Sequence, residues 1–175
     1  MAVREILLLG NPVLRAKCEK VRSFSNGTGV RVIRDLSDTL ADFKRKHGFG
    51  RGIAAPQIGE TKRIIFINID RPIALFNPEI VKRSRAAMIL WDDCFSFPDI
   101  LVKVRRNVKV TVRFQDVEGT RHELLAEGGL SELLQHEIDH IDGILAIDRA
   151  IDSKHIILRC EWEKLTTAPN DSPPL

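Results

Sequence analysis

Val32, Ile33, Leu36, Leu40 and Phe43 recur three and four positions apart, with mostly polar residues between them. That period holds them on one face and predicts an α-helix over residues 29–46, with Gly48 as its stop. A short apolar run over 64–69 predicts a buried strand. Residues 73–81 predict a second extended segment, interrupted at Asn77-Pro78. Val108, Val110, Val112 and Phe114 alternate with Asn107, Lys109, Thr111 and Arg113, the pattern of a half-buried strand. Glu118-Gly119 then turns the chain into a partner strand near 120–126, and residues 100–104 add another. Gly128-Gly129 breaks this run. Leu130, Leu134, Ile138 and Ile141 follow at helical spacing, with Gly143 placed to cap the helix. A last helix is expected over 152–165. Strands grouped centrally with helices around them indicate the α+β class.

Composition narrows this picture only a little. The 175 residues fit one domain, read as 1–165, with 166–175 as a disordered tail rich in Pro, Ser, Thr, Asn and Asp. A net charge of +3 is too small for a nucleic-acid binder, so the basic residues are read as solvated surface and no DNA partner is expected. No stretch approaches the ~18 apolar residues of a membrane span, so no membrane is expected either. Ile6-Leu7-Leu8-Leu9 ends at Gly10-Asn11-Pro12 and lacks the length and cleavage pattern of a signal peptide. The cytosol is the expected location, with an organelle as the alternative. Cys18, Cys94 and Cys160 are odd in number and widely spaced, which argues against a disulfide framework and suits a reducing compartment. Cys18 and Cys160 are read as buried structural thiols.

The chemistry is concentrated in His136-Glu137-Ile138-Asp139-His140. On a helix, residues four apart share a face, so two imidazoles can grip one metal ion. Glu137 beside them can accept and return protons. The apolar stripe of Leu134, Ile138 and Ile141 lies on a different face, so the histidines are not core filler. A catalytic site of this kind usually takes a third protein ligand, open here to a distant Asp, Glu, His or Cys. Cys94 stands out, because Trp91-Asp92-Asp93-Cys94-Phe95-Ser96-Phe97-Pro98 mixes aromatics, acids and proline as a cleft wall does. Gly50-Arg51-Gly52-Ile53-Ala54-Ala55-Pro56-Gln57 is dense enough in glycine for another backbone to approach closely, and Gln57 carries an amide able to polarise a carbonyl. Taken alone, that segment reads as a surface loop.

Together these elements resemble the peptide deformylase family. Gly50, Gly52, Ala54, Ala55 and Gln57 match its motif G-x-G-x-A-A-x-Q, and Gln135, His136, Glu137, Asp139 and His140 match Q-H-E-x-D-H. Of its E-G-C-L-S motif only Cys94 and Ser96 are kept. The opening Gly10-Asn11-Pro12-Val13-Leu14-Arg15 also looks like the family's, and the likeness runs from about residue 4 to 165. The resemblance implies a metal-dependent hydrolase that removes formate from the N-terminal formyl-methionine of new polypeptides. It implies one divalent ion, Fe2+, with Zn2+ or Ni2+ as alternatives, held by Cys94, His136 and His140. Glu137 would be general base and then acid. Gln57 and the backbone N–H of Phe95 would stabilise the oxyanion, and the N-formylated peptide would lie as an extra strand along Gly50, Arg51, Gly52 and Ile53. The fold expected is mixed, with mainly antiparallel strands around a central helix carrying H-E-x-x-H.

The departures concern the substrate. Asp93 stands where the family has glycine, and Asp92 where it has glutamate. Arg51 and Glu132 replace apolar residues, Glu132 in the wall that includes Leu133, and Gly129 replaces a common leucine. Glu132 is read three ways: accepting a basic or polar group, pairing with Arg51 across the cleft, or facing solvent. A deformylase-like hydrolase of another N-formyl or N-acyl compound therefore stays open as an alternative. So do a non-catalytic binding protein on the same fold and, from H-E-x-x-H alone, a zinc endoprotease. His47, His122 and His155 lack ligand spacing and are read as surface or locally bonded. Asp139 is read as orienting a ligand histidine or facing water, and Arg105 and Arg106 as pairing with Asp92 or flanking a strand. Lys154, Arg159 and Lys164 are read as a solvated helix face, with a transient ribosome contact as the alternative.

Overall fold

The computed structural model describes residues 3–24 and 27–167. The first amphipathic pattern forms α1 (Thr28–His47), which closes on Gly48 in the left-handed region (φ 79°) as expected. Eight strands follow: β1 (Gly52–Ala54), β2 (Ile64–Asn68), β3 (Pro72–Arg83), β4 (Ala87–Asp93), β5 (Ile100–Asn107), β6 (Lys109–Gln115), β7 (Arg121–Glu127) and β8 (Ile156–Leu158). The second long helix, α2 (Gly129–Ile141), comes between β7 and β8, and α3 (Arg159–Thr167) comes last.

Every strand pair is antiparallel. Five strands form one sheet in the order β1-β2-β3-β6-β7, and three form another in the order β4-β5-β8. Successive residues of a strand face opposite ways, and β2 shows what this does. Ile64 and Phe66 pack with Val32, Leu36 and Leu40 of α1. Ile65 and Ile67 pack with Leu133, Leu134, Ile138 and Ile141 of α2. The larger sheet is therefore filled on both faces. Each fully buried Ile or Leu here contributes about 1.5–3 kcal/mol. A third cluster, with Leu14, Cys94, Phe97, Val102, Val104 and Leu145, backs the smaller sheet.

Several expectations need correcting. The last helix was read over 152–165, but residues 156–158 pair with β5 and only Arg159 onward is helical. Thr166 and Thr167, assigned to the tail, close α3, and residues 168–175 lie outside the described residues. Asn77-Pro78 does not interrupt β3. The strand runs through with a register shift against β6, and Asn77 takes a positive φ of 51°. Its side chain pins that bend by bonding the backbone N–H and C=O of Val21 and the side chain of Gln115. Strands β1 and β4 were not foreseen. Cys18 is buried as expected, but Cys160 is exposed. Among the described residues no helix is long and apolar enough to cross a membrane.

Candidate active site

Helix α2 is buried on all sides from Ser131 to Ile141. Its apolar stripe faces the large sheet, and its histidine face meets the chain as it leaves β4. Gly143, with φ 76°, ends the helix region where a Cβ would lie 2.5 Å from the Arg15 carbonyl oxygen, so the chain entering from the N-terminal segment requires glycine there.

Cys94, the residue after β4, brings its Sγ to 3.2 Å from His140 Nε2, which lies 3.1 Å from His136 Nε2. These three donor atoms lie within 4.8 Å of one another and all three residues are buried. One thiol and two imidazole nitrogens fit a borderline-soft divalent ion. A tetrahedral ion at ~2.3 Å from sulfur and ~2.0 Å from nitrogen spaces its ligands roughly 3.3–3.6 Å apart, close to the separations seen. Asp92, Glu132 and His136 form a second convergent group. Its carboxylates are already committed, Asp92 to His136 and Arg106 and Glu132 to Arg51, so the cysteine group is the one whose donors could hold an ion.

Asp92, not Asp139, orients the histidine: its Oδ1 lies 2.9 Å from His136 Nδ1. Arg106 donates to Asp92 Oδ2 at 3.0 Å and also to Asp139, and Arg149 holds Asp139 from the far side at 2.8 Å. The carboxylate of the signature Asp139 thus steadies the ligand histidine through an arginine. Burial alone would raise the Asp92 carboxyl, but His136 and then Arg106 outweigh it and hold it at about 2. Burial likewise disfavours a charged His136, yet Asp92 outweighs it, so the position favours a cation, be it a proton or a metal ion. His140 is pushed the other way by burial and by His136, and stays neutral, as a metal ligand must.

Glu137 sits beside this cluster. Burial, with Glu132 and Asp92 adding to it against His136, pushes its carboxyl up to about 7. Its Oε2 is buried with no protein partner. An unspent buried acceptor costs about 1–3 kcal/mol, and at this position it is available to a reacting proton. Gly52 of β1 passes so close that a Cβ there would lie 2.9 Å from Glu137 Oε1. Gln57 is held by the Ala54 N–H donating to its Oε1 at 2.9 Å. That aims its Nε2 at Ser96 Oγ, 3.3 Å away, and toward Cys94 Sγ at 3.7 Å. Ser96 is fully buried, and its part in fixing Gln57 was not read from the sequence.

A cleft of about 390 Å³ opens over these groups, lined among others by Gly50, Arg51, Gly52, Gln57, Cys94 and Phe95 on one side and Glu132, Leu133, His136 and Glu137 on the other. Two expected site residues do not line it: His140 lies behind His136 and Cys94, and the side chain of Ile53 turns into the α1 cluster. Strand β1 is the edge of its sheet. The Asn68 N–H donates to the Arg51 carbonyl, so by alternation Gly52 points its own N–H and C=O away from β2. Two of the substitutions are neutralised in place. Asp93 is bonded by Arg159, the first residue of α3, at 2.8 Å. Glu132 is bonded by Arg51 at 2.7 Å and is buried, which excludes the solvent-facing reading.

Comparison with known proteins agrees with this geometry. The family model described as polypeptide deformylase matches residues 3–155. A peptide deformylase of Dictyoglomus thermophilum is 37% identical over 151 residues, covering 86% of this chain and 94% of its own. One of Heliobacterium modesticaldum is 42% identical over 152 residues, covering 85% and 95%. Among solved structures, a peptide deformylase from Legionella pneumophila superposes with a TM-score of 0.80 at 37% identity, covering 88% of this chain and 89% of its own. One from Synechococcus elongatus in complex with actinonin does so with a TM-score of 0.80 at 30% identity, covering 87% and 81%. The chain belongs to the polypeptide deformylase family and is a metal-dependent hydrolase.

Proposed function

We propose that the enzyme hydrolyses the formyl amide at the N-terminus of newly made polypeptides, with formyl-methionine as first residue, releasing formate and a free amine. The observation that carries this reading is the buried thiol–imidazole cluster beside an unpartnered Glu137 oxygen, at the edge of a strand free to pair. Cys94, His136 and His140 hold the ion, for which Fe2+ is our reading and Zn2+ or Ni2+ the alternatives. When bound, it supplies Lewis acidity, polarising the formyl carbonyl and acidifying water. Glu137 takes the proton of the attacking water and returns it to the nitrogen as the C–N bond breaks. Gln57 Nε2 and the Phe95 N–H donate to the carbonyl oxygen as charge develops on it. The outward N–H and C=O of Gly52 pair with the substrate backbone, which runs along residues 50–53 as an added strand. We place the protein in the cytosol.

The test is anaerobic formate release from formyl-Met-Ala-Ser by protein loaded with each metal in turn. Glu137→Gln should lower kcat by about 10²–10⁴-fold while retaining the ion, and Cys94→Ala should lose the ion. Metal-replete protein that releases no formate, or a Glu137→Gln variant of undiminished rate, overturns the reading.

A further inference from the structure

The cleft's charges are unequally spent. Asp93 is paired with Arg159, Asp92 with Arg106 and His136, and Glu132 with Arg51. Glu137 is reserved for the reaction. The cations are less occupied. Lys44 lines the same cleft, is exposed, and among the described residues has no carboxylate partner. Arg51 gives one Nη to Glu132 and the other to the Gly129 carbonyl, at a long 3.3 Å, yet its side chain remains 48% exposed. A guanidinium has five N–H donors, so with two committed three are left to spare on a half-exposed side chain that lines the cleft.

The three substituted positions fit one another. Arg51, the residue before β1, reaches across to the first turn of α2 and lies over Gly129, where a Cβ would already meet its Nη1 at 3.5 Å. A larger side chain there would displace the arm. Glu132 anchors the guanidinium from beneath, one helical turn before His136 and close enough to act on Glu137. The space beside the catalytic carboxylate is thus walled by Leu133 and by an ion pair with spare donors. An apolar side chain seated there would strip water from the guanidinium and return no hydrogen bond. A side chain carrying an acceptor would replace that water.

We propose that this wall selects formylated substrates whose first side chain ends in a hydrogen-bond acceptor, such as a carboxamide or a sulfoxide, over a thioether. The inference rests on the deformylase chemistry proposed for the same site and revises only the first residue, taken there as methionine. Arg51 and Glu132 are its specificity-determining pair: Arg51 donates to the acceptor, and Glu132 holds the guanidinium in place.

The experiment compares formyl-Gln-Ala-Ser and formyl-Met-sulfoxide-Ala-Ser with formyl-Met-Ala-Ser, reading kcat/KM on metal-loaded enzyme and, separately, affinity for metal-loaded Glu137→Gln by calorimetry. A charge-assisted hydrogen bond predicts at least about a tenfold preference for the acceptor-bearing peptides in both readouts. Arg51→Leu combined with Glu132→Leu, which leaves no unpaired buried charge, should reverse it by a similar factor. A wild-type preference for methionine overturns the proposal whether or not the double variant folds, as does a preference the double variant leaves unmoved. If no peptide releases formate but the binding preference holds, the deformylase reading falls and the pocket assignment stands. If neither appears, both fall.

Discussion

Asp92 carries more of the proposed metal site than its position in the chain announces. One carboxylate oxygen fixes His136 Nδ1 and the other holds Arg106, buried to 4% exposure. Asp92→Asn keeps the volume but removes the charge opposing Arg106 and weakens the bond that sets the imidazole tautomer. Metal affinity should fall about 10–100-fold, read by competition with a chelator, with the helix content unchanged. An unaltered affinity would show that Asp139 and Arg149 alone hold the array. Residues of this kind are only partly legible in a sequence. His136 and His140 are, because four residues on a helix fix their geometry locally. The links from Asp92 to Arg106, 14 residues away, and from Arg106 to Asp139, 33 residues away, exist only once β4 pairs with β5 and α2 packs against that sheet. Of the alternatives read for Asp139, orienting a histidine or facing water, neither describes its bonds to Arg106 and Arg149, while the pairings of Arg106 with Asp92 and of Arg51 with Glu132, each one alternative among several, are the ones formed.

Among the elements, β1 is, at three residues, as short as β8, yet it has the most to do. Three residues give it little pattern to detect, and as a glycine-rich stretch it read as a loop. Its strand character comes from pairing with β2, which no local propensity records. Its closeness to α2 is what makes Gly52 irreplaceable. A Cβ there would meet Glu137 Oε1 at 2.9 Å, Ile67 Cγ2 at 3.2 Å and Leu133 Cδ1 at 3.2 Å. Gly52→Ala should therefore displace the Glu137 carboxylate, the proposed base, rather than unfold the sheet. We expect kcat to drop by about tenfold or more for a stability change of about 1–3 kcal/mol. Full activity in Gly52→Ala would mean that β1 has room to move. The misread start of α3 has the same origin as β1. Ile156, Ile157 and Leu158 form an apolar run too short to tell helix from strand, and pairing with β5 decides for strand.

At the scale of the whole molecule the α+β class was legible, because alternation and helical period were both strong, but the layering was not. Nothing local says that Ile64 and Phe66 turn to one helix and Ile65 and Ile67 to another. The cysteines report that layering. Cys18 is buried against the α2 side of the large sheet, Cys94 sits with His136 and His140 in the proposed metal cluster, and Cys160 is on the surface of α3. A thiol reagent at neutral pH should modify Cys160 in the native holoenzyme, Cys94 only after chelation, and Cys18 only on unfolding. Burial, partly offset by Arg63, raises the Cys18 thiol from 9.0 to about 11. In alkali the unfolded chain then ionises this thiol first. The contribution of Cys18 to stability is complete below pH 9 and is lost as pH rises toward 11. Denaturation midpoints measured across that window should fall more steeply for the wild type than for Cys18→Ala. Parallel slopes would mean that Cys18 ionises as freely in the folded protein as in the unfolded chain, and that this side of the core admits water.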